Sequence, residues 1–165
     1  MRYLFAISIS LLLITACSPT DSAVYGVRKQ LVAYEKIPID RTPTHLVQMN
    51  DRVRIVVNTS RVFAQSSAKF DRDYRKLLSQ LENFLSNNKM PKKIVVNGYQ
   101  DGAGDPERMK AISKEQAQAL AAYIWALGVP SDLIKVVAHG NKNPVSYRDT
   151  ASGNIENRRI DVDIF

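Results

Sequence analysis

The stretch Val95-Val96-Asn97-Gly98-Tyr99-Gln100-Asp101-Gly102-Ala103-Gly104-Asp105-Pro106 constrains this chain more than any other, because it reads as strand, turn and helix start in immediate succession. The short apolar run predicts a buried strand, the glycines predict a flexible turn, and Asp105-Pro106 supplies an N-cap followed by proline at the first helical position. One carboxylate, Asp101, is left at the strand exit. Ligands of α/β sheets bind beyond the carboxyl ends of strands, so Asp101 is the first candidate functional residue.

The flanking chain extends this pattern. Val53, Ile55 and Val57 alternate with Arg52, Arg54 and Val56, which predicts a strand with one face buried. Phe70, Tyr74, Leu77, Leu78, Leu81, Phe84 and Leu85 fall at helical spacing, so a helix should run from near Asp71 to just before Asn87 and Pro91. Lys93 to Gly98 is the next strand. A helix from Pro106 to Leu127 follows, closed by Gly128 with Pro130 beyond, and Trp125 on it is expected to pack. Ile134 to Ala138 is a third strand, and a polar Gly/Asn/Ser loop fills the chain to Arg158. Ile160, Val162 and Ile164 alternate with Asp161 and Asp163 in a last strand expected to expose one face. This order predicts an α/β (α+β) two-layer sandwich, βαβαββ, with a mixed four-stranded sheet and two main helices on one side.

At the N-terminus, Arg2 precedes an apolar run from Leu4 to Ile14 that is too short to span a bilayer and has the form of a secretory signal. It ends in Leu13-Ile14-Thr15-Ala16-Cys17, which resembles the bacterial lipobox and includes the chain's single cysteine. That resemblance implies cleavage before Cys17 and its lipidation with acyl chains such as palmitate, several of which anchor stably where one is marginal. Ser18 follows the cysteine in place of Asp, which by resemblance to enterobacterial lipoprotein sorting implies the outer membrane. The expected organisation is a signal peptide over 1–16, lipidated Cys17 with a Ser/Thr/Pro-rich tether over 17–50, and one domain over 51–165. His45 falls in the tether, where a lone histidine is most simply a polar surface residue.

The formal net charge is +7, and the basic residues are scattered rather than clustered. An exported basic domain meets anionic lipid and cell wall, so no nucleic-acid partner is expected. The turn from Gly98 to Gly104 lacks Gly-Lys-Ser/Thr and Gly-x-Gly-x-x-Gly spacings, and Asp101 and Asp105 would repel phosphate. A serine nucleophile would need His45 or His139 as base, and no nucleophile elbow accompanies either. Asp101, Asp105 and His139 have no metal-ligand spacing. The chain is therefore read as a binding protein, with no catalytic residues, metal or cofactor.

Several ordered motifs point to one family. Val96-Asn97-Gly98-Tyr99-Gln100-Asp101-Gly102-Ala103-Gly104, then Ile112-Ser113 and Ala117, resembles the OmpA-like peptidoglycan-binding domain. The pattern there is apolar-x-Gly-His/Tyr-Thr-Asp-x-x-Gly, then Asn-x-x-Leu-Ser-x-x-Arg-Ala. Gly140 to Pro144 matches Gly-x-x-x-Pro, Thr150 to Ile160 matches Thr-x-x-Gly-Arg-x-x-Asn-Arg-Arg-Val, and Val62-Phe63 with Ser67-Ala68 resembles the Phe-x-x-x-Ser-Ala loop. The resemblance covers about Arg52 to Phe165.

It implies that an aspartate takes the ammonium of diaminopimelate in the wall stem peptide while a helix arginine takes its carboxylate, a fit suited to a zwitterion. Asp101 matches the aspartate. Gln116 stands where the arginine should be and Met109 where the asparagine should be, while Asn154 replaces a further arginine. Losing the charge-assisted contact should cost on the order of 2 kcal/mol, or ~30-fold in affinity. Substitute cations are sought at Arg158, Arg159, Lys110 or Lys114. The expected peptidoglycan contacts are Asp101, Gln116, Arg158, Arg159 and Ser66, with Asn157 and Arg158 also able to pin the last loop. The resulting expectation is an outer-membrane lipoprotein whose periplasmic domain ties the membrane to the wall. An alternative is a subunit of an envelope-spanning machine with a drifted wall site, similar to the lipoprotein component of Dot/Icm type IVB secretion systems.

Overall fold

The computed structural model describes residues 44–146 and 150–165; the signal segment, Cys17 and the tether up to residue 43 lie outside them. The elements run β1 (Thr44–Gln48), β2 (Val53–Asn58), α1 (Thr59–Val62), α2 (Tyr74–Asn87), β3 (Ile94–Tyr99), α3 (Pro106–Ala126), a 3-10 turn (Ser131–Leu133), β4 (Ile134–Gly140), α4 (Ala151–Asn157) and β5 (Arg159–Ile164). They form a two-layer α/β sandwich on a mixed sheet ordered β1-β2-β5-β3-β4. Only β3 and β4 pair in parallel; the other neighbours are antiparallel.

One face of the sheet is apolar for the reason the alternation gives. Ile55, Val57, Ile94, Val96, Ile160 and Val162 all point to the side covered by the helices and are at most 1% exposed. Leu78 and Leu81 of α2 and Leu120 and Ile124 of α3 meet them, each fully buried. Burying a side chain of this size contributes about 1.5–3 kcal/mol, so this layer holds the fold.

Four expectations change. The sheet has five strands, not four, because Thr44–Gln48, within the stretch read as tether, pairs with β2 from Thr44↔Val57 to Gln48↔Val53. Its signal was weak: five residues after Pro43 with only Leu46 and Val47 apolar. The polar loop before Arg158 contains α4, whose composition is poor for a helix. It is held at its start by Thr150, whose hydroxyl accepts from Gly153 N at 3.1 Å. At its end Asn157 Oδ1 accepts from Val145 N and Ser146 N, and its Nδ2 donates to Ser146 O, so Asn157 does pin the loop.

The third change concerns β5, expected to be exposed on one face. It occupies the sheet's middle position and is buried along its whole length, with Asp161 3% and Asp163 6% exposed. Arg54 of β2 roofs both, its Nε 2.7 Å from Asp163 Oδ1 and its Nη1 3.4 Å from Asp161 Oδ2. Trp125 differs too: it is 62% exposed at the end of α3 rather than packed.

Candidate functional site

The exit of β3 is fixed from both sides. Gly98 lets α3 cross the strand at a distance no side chain would allow, since a Cβ there would lie 2.2 Å from the Ser113 carbonyl oxygen. Ser113, fully buried, donates from Oγ to Lys110 O and accepts from Gly140 N at 3.1 Å. Gln100 N donates to Gly140 O at 2.7 Å, so the residues just before Asp101 are tied to β4. Asp105 caps α3 by accepting from Arg108 N at 2.9 Å.

The opposite wall is the loop between α1 and α2. Phe63 and Phe70 pair as an isolated bridge and stack at 4.8 Å, and Phe70 stacks in turn on Tyr74 at 4.6 Å. Between them the chain turns tightly, Ala64 N donating to Lys69 O, with Ser66 in the left-handed region at φ 51°. A non-glycine residue there is a strained position of the kind that gathers at binding sites.

Between these walls lies a cleft of about 420 Å³. Thr59, Ser60, Phe63, Ala64, Gln65, Ser66 and Asp71 line one side; Gln100, Asp101 and Ala103 line the strand exit; Met109, Ile112 and Gln116 come from α3; Arg158 closes the end. Asp101 is 3% exposed, and Arg158 places Nε and Nη2 both 2.6 Å from its Oδ2. Asp101 Oδ1 has no donor among the described residues. Among the described residues, the charged side chains of the lining are Asp71, Asp101 and Arg158.

Gln116 is 4% exposed and bonded at both ends of its amide. Its Nε2 donates to Ser67 O at 2.8 Å, and its Oε1 accepts from Gln100 Nε2 at 2.8 Å. The Ser67 carbonyl can only accept, so it fixes which end of the Gln116 amide faces it, and that in turn fixes the Gln100 amide. Gln100 Oε1 is thereby left without a donor among the described residues.

Of the residues expected from sequence, the cleft brings together Asp101, Gln116, Arg158 and Ser66. Arg159 is not among them. It lies on the other face of the sheet, 6% exposed, its guanidinium 3.9 Å above the Tyr99 ring and its Nε 3.2 Å from Asp161 Oδ1. The alternation of a strand sends neighbours to opposite faces, so Arg158 and Arg159 could not both serve one site. Lys110 and Lys114 are exposed and do not line the cleft. Gln100 was not singled out from sequence. Its signal was the departure from threonine in the Gly-His/Tyr-Thr-Asp pattern, at the residue that now bonds the other departure, Gln116. Asp71 had no signal beyond its place near a helix start.

His139, weighed above as a base, stacks on Tyr99 at 4.5 Å on the far face, with Nε2 3.1 Å from Asn97 Oδ1. Since Asn97 Nδ2 donates to Asp163 Oδ2, its Oδ1 is the acceptor and His139 carries the proton on Nε2. Burial, then the Arg159 charge, lowers its pKa. Among the described residues no group of three or more His, Cys, Asp or Glu could hold a metal, and no helix is long and apolar enough to cross a membrane.

Comparison with known proteins agrees with this architecture. The OmpA family matches residues 62–158. The chain is 27% identical over 90 residues to the sodium-type flagellar protein MotY of Vibrio parahaemolyticus, a stretch covering 54% of this chain and 31% of that protein. It is 33% identical over 70 residues to the peptidoglycan-binding protein ArfA of Mycobacterium tuberculosis, covering 42% of this chain and 22% of the relative. These matches therefore span a third or less of those relatives. The peptidoglycan-associated lipoprotein of Rhizobium meliloti is 26% identical over 113 residues, 68% of this chain and 59% of that one. Among solved structures, the cell wall anchor of the T6SS from Pseudomonas aeruginosa superposes with a TM-score of 0.70 at 20% identity, covering 82% of this chain and 94% of that one. The family match spans the loop, strand exit, helix and last arginine that build the cleft, and the chain belongs to the OmpA family.

Proposed function

We propose that this domain binds peptidoglycan without catalysis and, carried on a lipidated Cys17 in the outer membrane, anchors the envelope to the wall from the periplasm. The observation that carries the reading is Asp101: a carboxylate buried in an open cleft, held by Arg158 through one oxygen and without a donor among the described residues at the other. Such a group suits a ligand ammonium, the amine that a wall stem peptide containing diaminopimelate offers. Support also comes from relatives, whose names include a peptidoglycan-binding protein and a peptidoglycan-associated lipoprotein. In co-sedimentation with purified sacculi, wild type should pellet and Asp101→Ala should stay largely in the supernatant. Wild type remaining in solution at low salt would sink the reading. The anchor is tested separately: Cys17→Ser should move the protein from the membrane fraction to the soluble periplasm.

A second reading is favoured by one observation, the closed Gln100–Gln116–Ser67 chain where an arginine would grip carboxylate. It makes the domain a structural subunit of an envelope-spanning secretion machine whose wall site has weakened. Extraction in mild detergent should then recover it with large partners, and recovery alone with strong sacculus affinity would exclude this.

A further inference from the structure

We propose that the cleft selects a wall peptide whose free amine stands beside a carboxamide rather than a carboxylate, that is, an amidated diaminopimelate stem. This rests on the peptidoglycan reading above and adds the ligand's charge state to it. Two acceptors at the strand exit have no donor among the described residues: Asp101 Oδ1, for the amine, and Gln100 Oε1, which the hydrogen-bond chain from Ser67 O through Gln116 leaves open. An acceptor facing the ligand beside the amine site repels a carboxylate and accepts from an amide N–H.

Arg158, the one cation among the described residues of the lining, does not reverse this. Arg158 has turned its Nε/Nη2 edge, the fork that would grip a carboxylate in parallel bonds, onto Asp101. With that pair mutually neutralised, Asp71 is the remaining charge among the described residues of the lining. Met109 and Ile112 form an apolar wall next to Gln116, where a charged carboxylate would lose its water without a partner and a neutral amide would lose far less. Gln100 and Gln116 are thus specificity-determining residues acting as one unit: an amide pair reads an amide, as a guanidinium would read a carboxylate.

The test uses the purified full chain in detergent and two synthetic stem peptides, identical except that the diaminopimelate carboxyl beside the free amine is acid in one and amidated in the other. Calorimetry or NMR titration should show the amidated peptide binding about ten-fold tighter, the difference expected when one partner must bury an uncompensated charge. Gln116→Arg should reverse the preference, and Gln100→Thr, a smaller change that removes the free acceptor, should erase most of it. Equal affinities, or preference for the free acid in wild type, would overturn the inference and leave peptidoglycan binding standing. Failure of both peptides to bind would overturn the inference together with the reading beneath it.

Discussion

The two faces of the sheet are built from the same strands by opposite chemistry. On the helix side Ile55, Val57, Val96, Ile160 and Val162 exclude water by apolar contact alone. On the other side the same strands present Arg54, Asn97, Arg159, Asp161 and Asp163, and these bury themselves through ion pairs and hydrogen bonds, with no helix among the described residues laid over them. The first face tolerates any well-shaped hydrocarbon. The second is conditional, because each carboxylate is inexpensive to bury only while its guanidinium partner is in place. Burial of Asp161 pushes its pKa up even though Arg159 and Arg54 pull it down, which shows how much desolvation that face carries.

The largest expected effect breaks the apolar side at its tightest point. Gly98→Val puts a side chain where a Cβ alone would sit 2.2 Å from Ser113 O and 3.1 Å from the Ala117 Cβ. Backbone cannot yield there without separating α3 from β3, so a loss above about 4 kcal/mol is expected, read as absence of a cooperative thermal transition. Next comes the ionic side. Arg54→Ala leaves Asp161 and Asp163 short of their shared partner, at a cost of about 3–5 kcal/mol by urea unfolding. Leu120→Ala, fully buried on the helix side, should cost about 2–5 kcal/mol. If Arg54→Ala costs under about 1 kcal/mol, the charged face is merely solvated surface and the contrast fails.

That contrast also explains what the sequence made legible. Period-2 alternation in Val53–Val57 and Ile160–Ile164, and 3.6-spacing from Tyr74 to Leu85, report which side of an element meets the core, and those assignments hold. Alternation says nothing about what covers the other side, so Asp161 and Asp163 read as exposed while Arg54, more than a hundred residues earlier, was their lid. β1 and α4 were missed because a five-residue strand and a seven-residue helix owe their existence to pairing and capping, not to propensity. At the site, Asp101 was readable from its place after an apolar run. The Gln100–Gln116 bond was not, since it joins residues on a strand exit and a helix whose relative placement depends on Gly98.

A smaller effect is expected where the apolar layer ends in the cleft. Asp101→Asn keeps the shape and removes the charge. Arg158 opposite it is 40% exposed in its side chain, so solvent already screens the pair, and the loss should be about 1 kcal/mol or less. A fall in sacculus binding with the melting temperature lowered by no more than a few degrees would separate ligand recognition from folding. A collapse of stability instead would make Asp101 part of the scaffold, like Asp163.

The smallest effect distinguishes the two faces by pH. His139 on the charged face has a pKa lowered by burial and by Arg159, so it resists protonation when folded. An unfolded histidine takes its proton near pH 6.5. Between that pH and the lower folded pKa, the unfolded state holds more protons, so stability is complete above about pH 7 and declines as pH falls through this window. His139 is partly solvated, which limits its share to the order of 0.5 kcal/mol. Burial shifts the pKa of His45 on β1 the same way, so His139→Gln should flatten only part of the slope between pH 7 and 5. Protonation would also place a second positive charge beside Arg159 over the Tyr99 ring, so the decline should be shallower at high salt. Leu120→Ala should shift the whole stability curve down without changing its pH dependence, because both histidines, His45 opposite Val56 and His139 against Tyr99, lie on the other side of the sheet. A slope unchanged in His139→Gln would mean that the charged face does not sense this histidine.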